Sequence, residues 1–240
     1  YDPTYQDYSA VLAEPSMAHP FGTDEYGRDI LSRIIYGSRV SLSIGIVAQI
    51  VASIVGVTLG AVAGYYGGRI DSVISRIMEI FQAFPDLIFA MAIMTFLGKG
   101  VLNLFIALGL LTWVRTARMI RGSVMQLKEK EYIEASRACG ASTFWIITKG
   151  LVPNCLSTII VLVTLGIPNA IMYEASLSFL GIGIQPPTPS WGNMISAAQT
   201  FISYRPVYSI MPGVAIMITV IAFNIFGDGL RDALDPKLKN

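Results

Sequence analysis

Long apolar stretches separated by short polar ones dominate the chain. Residues 40–68, 151–173 and 206–227 contain no Asp, Glu, Lys or Arg. Each stretch is at least as long as the roughly 20 apolar residues with which a helix crosses the hydrocarbon of a bilayer. The pattern therefore predicts an all-α membrane protein, built as a bundle of spanning helices.

Five spans are predicted once two less uniform stretches are included. We place them at about residues 40–66, 78–98, 100–120, 152–174 and 207–226. Pro85 is expected to kink the second span and Pro168 to interrupt the fourth, because proline frees a backbone carbonyl. Gly227 and Gly229 are expected to end the last span.

Glycines in the first span predict its packing face. Gly56, Gly60 and Gly64 recur every four residues, so they lie on one side of a helix. Small residues at this spacing let the backbones of two membrane helices approach closely. We expect this face to pack against another span rather than to bind a substrate.

The polar segment before the first span contains one predicted helical piece. Thr23 or Asp24 is expected to cap it. We interpret residues 1–39 as an extracytoplasmic segment with an interfacial helix, followed by a transmembrane domain over residues 40–230 and a charged tail over residues 231–240. The Gly- and Pro-rich stretch before the last span, with Trp191, is expected to be an interfacial loop.

Few side chains offer chemistry. Only 14% of residues are charged and the net charge is +1, whereas soluble domains carry about 25% charged residues. No basic block suggests nucleic acid, and one His with two Cys predicts no metal site. The ATP-binding pattern G-x-x-x-x-G-K-[ST] does not occur in the sequence, and neither does a Ser/His/Asp set, so we expect no catalytic residues.

Polar residues at span positions are candidates for lining a path through the membrane. Ionisable groups at such positions usually face protein or a water-filled cavity. The candidates are Glu79, Gln82, Asp86, Asn169 and Glu174. Packing or interfacial anchoring explains each of them at least as well.

A polar elbow, residues 131–154, separates the third and fourth spans. Its first part predicts a short helix with a face of small side chains that ends at Gly140. Ser142 can cap a second short helix, whose Phe144 and Trp145 are expected to lie back on the membrane domain. An ordered connection of this length favours a docking surface for a partner over a simple link.

The distribution of positive charge predicts the orientation of the chain. Most of the 17 Lys and Arg residues fall on the side of the elbow. The positive-inside rule therefore places the elbow and the C-terminal tail in the cytoplasm. Residues 1–36 then lie outside and carry no signal peptide, so we expect one further span before Tyr1 and six in the full protein.

The elbow sequence EASRACGASTFWIITKGLVPN resembles the EAA loop of bacterial ABC importer permeases. The stretches HPFGTDEYGRDILSRIIYGSRVSLSIG and EASLSFLGIGIQPPTPSWGNMI resemble the C-type permease of the dipeptide/oligopeptide/nickel group, and the likeness covers essentially the whole chain. Ser136 stands where the family usually has a second Ala. The residues that the resemblance assigns to ATPase coupling are Glu134, Ala135, Ser136, Arg137, Gly140, Ala141, Ile147 and Pro153.

The resemblance implies a type I importer permease in the bacterial cytoplasmic (inner) membrane, with di- or oligopeptides as the expected cargo. Its implied partners are a second homologous permease with which it forms a heterodimer, two cytoplasmic ATP-binding subunits, an extracytoplasmic substrate-binding protein and membrane lipid. ATP and Mg would be held by the ATPase subunits, and this chain would bind no cofactor. The cytoplasmic EAA/coupling loop is expected over residues 121–151, with the coupling helix within residues 134–148.

Other functions stay open at this point. The same family includes importers of nickel and glutathione, although a chain with one His gives nickel no support. An ion-coupled secondary transporter is the alternative of another class, and it would be expected to contain inverted repeats and ion-coupling residues near the bilayer midplane. A channel or a purely structural subunit is a third alternative.

Overall fold

The computed structural model describes residues 1–234, which form a bundle of long helices. The long helices are α1 (Ile30–Tyr66), α4 (Val101–Leu127), α7 (Leu156–Phe179) and α9 (Pro206–Leu234). The shorter helices are α2 (Gly68–Gln82), α3 (Asp86–Leu97), α5 (Glu131–Ala138), α6 (Thr143–Trp145) and α8 (Trp191–Ala198). Within the described residues four helices are long and apolar enough to cross a membrane, or five if the bent pair α2–α3 is one span. The predicted all-α bundle is confirmed.

Glycines bring α1 and α4 into backbone contact. A Cβ on Gly60 would lie 2.4 Å from the carbonyl oxygen of Ala117, and one on Gly64 would lie 2.7 Å from that of Arg121. Gly56 meets Trp113 in the same way, at 2.7 Å. The glycine spacing of the first span therefore predicts its packing face correctly, because only a residue without a side chain permits this approach.

The second predicted span is wrong in its shape. Instead of one helix kinked at Pro85, the structure has two helices, α2 and α3, that meet at an angle of 92°. Residues 68–77 lie before the predicted span, yet they are helical and an ion pair holds them to α4. Asp71 accepts hydrogen bonds from Arg121 Nε at 2.5 Å and Arg121 Nη2 at 2.6 Å, which ties α2 to α4.

Helix α1 begins at Ile30, before the predicted start of the first span and after the predicted cap of the interfacial helix. Its N-cap is Asp29, whose side chain accepts a hydrogen bond from the backbone N–H of Ser32, rather than Thr23 or Asp24. The predicted interfacial helix is therefore the first part of α1. Asp24 instead accepts a hydrogen bond from Arg28 Nε at 2.6 Å, inside a buried cluster that also holds Arg33.

The remaining helices pack beside α1. Pro168 lies inside α7 without ending it, and α9 continues through Gly227 and Gly229, so both predicted interruptions are wrong. Trp191 does not lie in an interfacial loop: it starts α8, is 3% exposed, and donates from Nε1 to the carbonyl of Ile34 at 3.1 Å. Of the predicted charged tail, residues 231–234 belong to α9 and residues 235–240 lie outside the described part.

Candidate coupling surface and membrane cavity

The first elbow helix, α5, ends in a turn that requires glycine. Gly140 has φ +79°, and its N–H donates to the carbonyl of Arg137 at 2.9 Å. The next N–H, that of Ala141, donates to the carbonyl of Ser136 at 3.0 Å. This pair of hydrogen bonds is the Schellman arrangement, which closes a helix and redirects the chain when a residue without Cβ adopts the left-handed conformation. Gly140 therefore fixes the angle of the elbow.

One apolar side chain anchors α5 to the membrane domain. Ile133 is fully buried and is the buried residue of this helix. It packs in a cluster with Ala61 of α1, Ile120 of α4 and Leu151. A Cβ on Gly150 would lie only 2.9 Å from Ile133 Cδ1, so Gly150 makes room for the anchor. Sequence reasoning missed Ile133, although an isolated isoleucine in a polar helix is a usable signal.

The second part of the elbow is continuous with a membrane span. Ser142 caps α6 by accepting a hydrogen bond from the N–H of Trp145 at 3.3 Å, as predicted. The chain then continues through a π-helical turn at Ile146–Leu151 and a 3₁₀ turn at Pro153–Cys155 into α7. The prediction of a separate second helix is therefore wrong, since residues 143–179 form one continuous helical unit.

Small side chains line an open groove on the elbow, which we call the elbow groove. It has a volume of about 550 Å³. Its lining residues are Ala135, Ser136, Cys139, Gly140, Ala141, Ser142 and Trp145. Phe144, beside it, is 78% exposed and Trp145 is 48% exposed. The prediction that these two aromatic side chains lie back on the membrane domain is wrong, because Ile133 and Ile146 occupy that contact.

The other predicted coupling residues do not line this groove. Glu134 is exposed. The guanidinium of Arg137 lies over the ring of Tyr65 at 5.3 Å, which connects α5 to the end of α1. Ile147 packs at the edge of the Ile133 cluster, and Pro153 is exposed at the entrance to α7.

A second concave region, which we call the membrane cavity, lies between α1, the α2–α3 bend, α4 and α7. Its volume is about 530 Å³. Its hydrogen-bonding and charged lining residues include Gln49, Gln82, Asp86, Arg115, Arg118, Asn169 and Tyr173. Three of the five predicted path residues, Gln82, Asp86 and Asn169, are thus brought together. Sequence reasoning missed Gln49 and Tyr173, which are isolated polar residues on apolar helices.

The other two predicted path residues lie elsewhere. Glu79 is exposed and accepts a hydrogen bond from Arg76 at 2.8 Å. Glu174 is fully buried and accepts hydrogen bonds from Ser178 at 2.7 Å and from Ser41 at 3.1 Å. Glu174 therefore connects α7 to α1 inside the protein, away from the membrane cavity.

Sequence comparison places this arrangement among known transport proteins. The model of a family described as "Binding-protein-dependent transport system inner membrane component" matches residues 56–240. The glutathione transport system permease protein GsiD of Pectobacterium atrosepticum is 44% identical over 236 residues, which cover 98% of this chain and 78% of that protein. The dipeptide transport system permease protein DppC of Bacillus subtilis is 47% identical over 226 residues, covering 94% of this chain and 71% of that protein.

Solved structures share the same architecture. An inward-facing MetNI methionine ABC transporter superposes with a TM-score of 0.65 at 22% identity, over 86% of this chain and 98% of the matched chain. An amino acid ABC transporter superposes with a TM-score of 0.64 at 15% identity, over 85% of this chain and 95% of the matched chain. At these identities the likeness shows the fold alone.

Proposed function

This chain belongs to the family of binding-protein-dependent transport system inner membrane components and is a permease of an ABC importer, and on that premise we propose that it imports di- or oligopeptides. It forms the translocation path with a second homologous permease and receives substrate from an extracytoplasmic binding protein. Two cytoplasmic ATP-binding subunits drive transport by binding at the elbow groove.

The observation that carries this proposal is the exposed elbow groove on a segment that continues into a span. Its walls are Ala, Ser, Cys and Gly side chains, which let a partner approach the backbone closely. The exposed Phe144 and Trp145 beside it supply the kind of aromatic anchors that dominate protein interfaces. No other described residue covers this surface.

The direct connection between the elbow and α7 can transmit a movement of the ATPases to the membrane domain. Ile133 fixes α5 to α1 and α4, while α6 leads through the π-helical turn into α7. Asn169 and Tyr173 of α7 line the membrane cavity. A partner that moves the elbow groove would therefore shift the wall of this cavity, because helices transmit displacement along their axes better than loops do. π-Helical turns often occur at functional sites of this kind.

Charge supports a cytoplasmic elbow. Arg137, Lys149 and the arginines at the end of α4 lie at the same end of the bundle as the groove. Cytoplasmic segments of membrane proteins are enriched in Lys and Arg. The elbow and the end of α9 therefore face the compartment that contains ATP.

The nucleotide is handled by other subunits. The chain contains no G-x-x-x-x-G-K-[ST] motif with which to hold the phosphates. ATP and Mg are accordingly bound by the two partner ATPases, and this subunit converts their closure into helix movement without itself being an enzyme.

Two cargo classes deserve direct comparison. Relatives that are 47% identical are dipeptide permeases, which supports di- or oligopeptides. A relative that is 44% identical is a glutathione permease, so glutathione is the second candidate. Competition by each compound for uptake of a labelled dipeptide ranks the two cargoes.

The test uses the assembled transporter in proteoliposomes with its binding protein. Uptake of a labelled dipeptide should require ATP and continue when the proton gradient is dissipated. Ala135→Trp, which fills the elbow groove, should abolish uptake while the permease pair still inserts into the membrane. Uptake that needs an ion gradient and no ATP would instead establish the secondary-transporter alternative.

Gly140→Val, with Gly181→Val as its control, separates docking from general instability. Both glycines have positive φ, +79° and +75°, and neither would place a Cβ within 4 Å of another group. The strain of a β-branched residue in this conformation is therefore similar. Gly181 follows α7 at the opposite end of the helix, so only Gly140→Val should reduce uptake per ATP. Equal losses in both variants would contradict docking through the elbow.

A further inference from the structure

The membrane cavity has a charged and polar lining that goes beyond a simple passage. Asp86, Arg115 and Arg118 all face it from positions within or beside spans. Ionisable groups at such depths are costly and are usually retained for function. We propose that the membrane cavity is a binding site for a zwitterionic peptide inside the permease, with Arg115 and Arg118 receiving the carboxylate and Asp86 with Gln49 receiving the ammonium group. The inference rests on the proposed peptide import.

Gln49 provides the observation that points to a ligand. Its residue is 3% exposed, and its side-chain Oε1 receives no hydrogen bond from any described residue. Gly166 of α7 makes room for this amide, since a Cβ there would lie 2.3 Å from Gln49 Oε1. A buried acceptor without a donor is costly. A ligand ammonium or amide N–H in the adjoining cavity would satisfy it.

Asp86 supplies negative charge to the same cavity. Tyr173 donates a hydrogen bond to its Oδ2 at 2.5 Å. A carboxylate accepts several hydrogen bonds through its two oxygens. The hydroxyl of Tyr173 therefore orients Asp86 and leaves Oδ1 for a cationic group. Asp86 and Gln49 thus both offer acceptor oxygens to the lining of this cavity, which suits an ammonium group.

Arg115 and Arg118 supply the opposite charge. They are three residues apart on α4 and so lie on one face of the helix. Arg118 donates one hydrogen bond, from Nη2 to Gln82 Oε1 at 2.5 Å, which fixes its position. Each guanidinium has five N–H donors in a planar array that suits a carboxylate. Among residues 1–234, the hydrogen bond to Gln82 is the one that these two guanidinium groups make, so most of their donors are left for a ligand.

The size of the site suits a short peptide. Its volume of about 530 Å³ lies within the roughly 300–1,000 Å³ of small-molecule pockets. A fully extended dipeptide spans about 7 Å. Charges of both signs on the walls of one cavity match a molecule with a free amino end and a free carboxylate end, whereas an inorganic ion would need only one sign.

The experiment measures equilibrium binding of labelled alanyl-alanine to the assembled complex of both permeases and both ATPases in nanodiscs, without the binding protein. Each variant is also tested with N-acetyl-alanyl-alanine and with alanyl-alanine amide as competitors. Loss of one strong charged hydrogen bond corresponds to about tenfold or more in affinity. We expect both blocked peptides to bind at least about tenfold more weakly than alanyl-alanine.

The variants assign each peptide end to its residues. In Asp86→Asn and Gln49→Met, the affinity for alanyl-alanine should fall about tenfold. The preference for alanyl-alanine over the N-acetyl peptide should disappear, while its preference over the amide should persist. In Arg115→Gln and Arg118→Gln, binding of alanyl-alanine should also weaken about tenfold. Here the preference for alanyl-alanine over the amide should disappear, while its preference over the N-acetyl peptide should persist. Glu79→Gln, a change at an exposed acid outside the cavity, is the control and should bind like the parent.

Several outcomes overturn the inference. One is a parent complex that binds no dipeptide at all. Another is a set of variants that all lower affinity without changing either preference, which would mean that these residues only stabilise the packing of the helices. ATP-driven dipeptide uptake by the same complexes with the binding protein keeps the two proposals apart. If the complex imports dipeptide but the variants do not change its peptide preferences, only this binding site is rejected. If the complex imports no dipeptide, the proposed cargo is rejected.

Discussion

Ile133→Ala tests whether the elbow works as a firmly anchored lever. Ile133 is fully buried and is the residue of α5 that packs into the membrane domain, against α1, α4 and the π-helical turn. Replacing a buried isoleucine by alanine costs about 2–5 kcal/mol. Here the loss falls mainly on the docking of α5, because the rest of that helix is exposed or half-buried.

The size of the effect follows from this free energy. A loss of about 2 kcal/mol or more lowers the ratio of docked to undocked α5 by roughly 25-fold or more. An undocked elbow can still contact an ATPase but cannot transmit its movement. We therefore expect ATP hydrolysis by the reconstituted complex to continue while the number of peptides imported per ATP falls several-fold. Ile133→Val, which removes one methyl group, should have a much smaller effect.

Ile30→Ala is the matched control. Ile30 is 1% exposed and packs with Met194 and Tyr208, at the start of α1 and far along that helix from the elbow. Its truncation removes the same atoms from an equally buried site, so it matches Ile133→Ala in lost packing but leaves the docking of α5 intact. Uptake per ATP should stay at the parent value. If Ile133→Ala also keeps the parent ratio, the lever interpretation is refuted.

Three further predictions concern single contacts. Gly150→Ala should impair coupling because its Cβ would lie 2.9 Å from Ile133 Cδ1, and Ile133→Val, which lacks that atom, should restore uptake in the double variant. Asp71→Asn should lower the thermal midpoint of the complex by weakening its paired hydrogen bonds to Arg121, and an unchanged midpoint would show that the contact is dispensable. Burial raises the pKa of Asp29, but hydrogen bonds from Ser32 together with the contact to His19 outweigh it and hold that pKa below its usual value. The Asp29 cap should therefore stabilise the protein at neutral pH and lose its effect as the pH falls through this lowered pKa, so Asp29→Ala should cost about 0.5–2 kcal/mol at pH 7 and less under acid conditions, as measured by denaturation at both pH values.

The spans were predictable because lipid imposes a simple rule on sequence. A helix in hydrocarbon must be apolar over its whole length, and Gly56, Gly60 and Gly64 must share a face to allow close packing. These requirements act locally, so the order of residues reveals them. The α1–α4 contact in the structure is built on the glycine face that the spacing predicts.

Features that depend on distant partners were not predictable in this way. Tryptophan is a typical residue of the membrane interface, yet the packing of α8 buries Trp191, and its Nε1 donates a hydrogen bond to the carbonyl of Ile34. The charged residues of α2 do not by themselves predict a helix beside the bundle. The ion pair between Asp71 and Arg121, which holds α2 to α4, depends on the three-dimensional packing. The two predictions from proline were also wrong, since Pro168 was expected to interrupt its helix and Pro85 only to kink one. Instead, α7 continues through Pro168, and Pro85 lies between two separate helices.

The candidate sites were predictable in part. The small face and the glycine turn of the elbow follow from local sequence, but the outward position of Phe144 depends on Ile133 and Ile146 filling the contact beneath. The membrane cavity gathers residues from five helices, so no spacing along the chain predicts that Gln49 and Asp86 line the same cavity. Only the three-dimensional packing brings them to it.

Chemical labelling of Cys139 tests the central claim most directly. Cys139 is exposed in the elbow groove, whereas Cys155 is 1% exposed and serves as an internal control. A membrane-impermeant maleimide should label Cys139 in inside-out vesicles stripped of the ATPases and should not label it in intact right-side-out cells. Adding the ATPase subunits back should protect it. Labelling from the outer face, or labelling that the ATPases leave unchanged, would contradict a cytoplasmic elbow gripped by a nucleotide-driven partner.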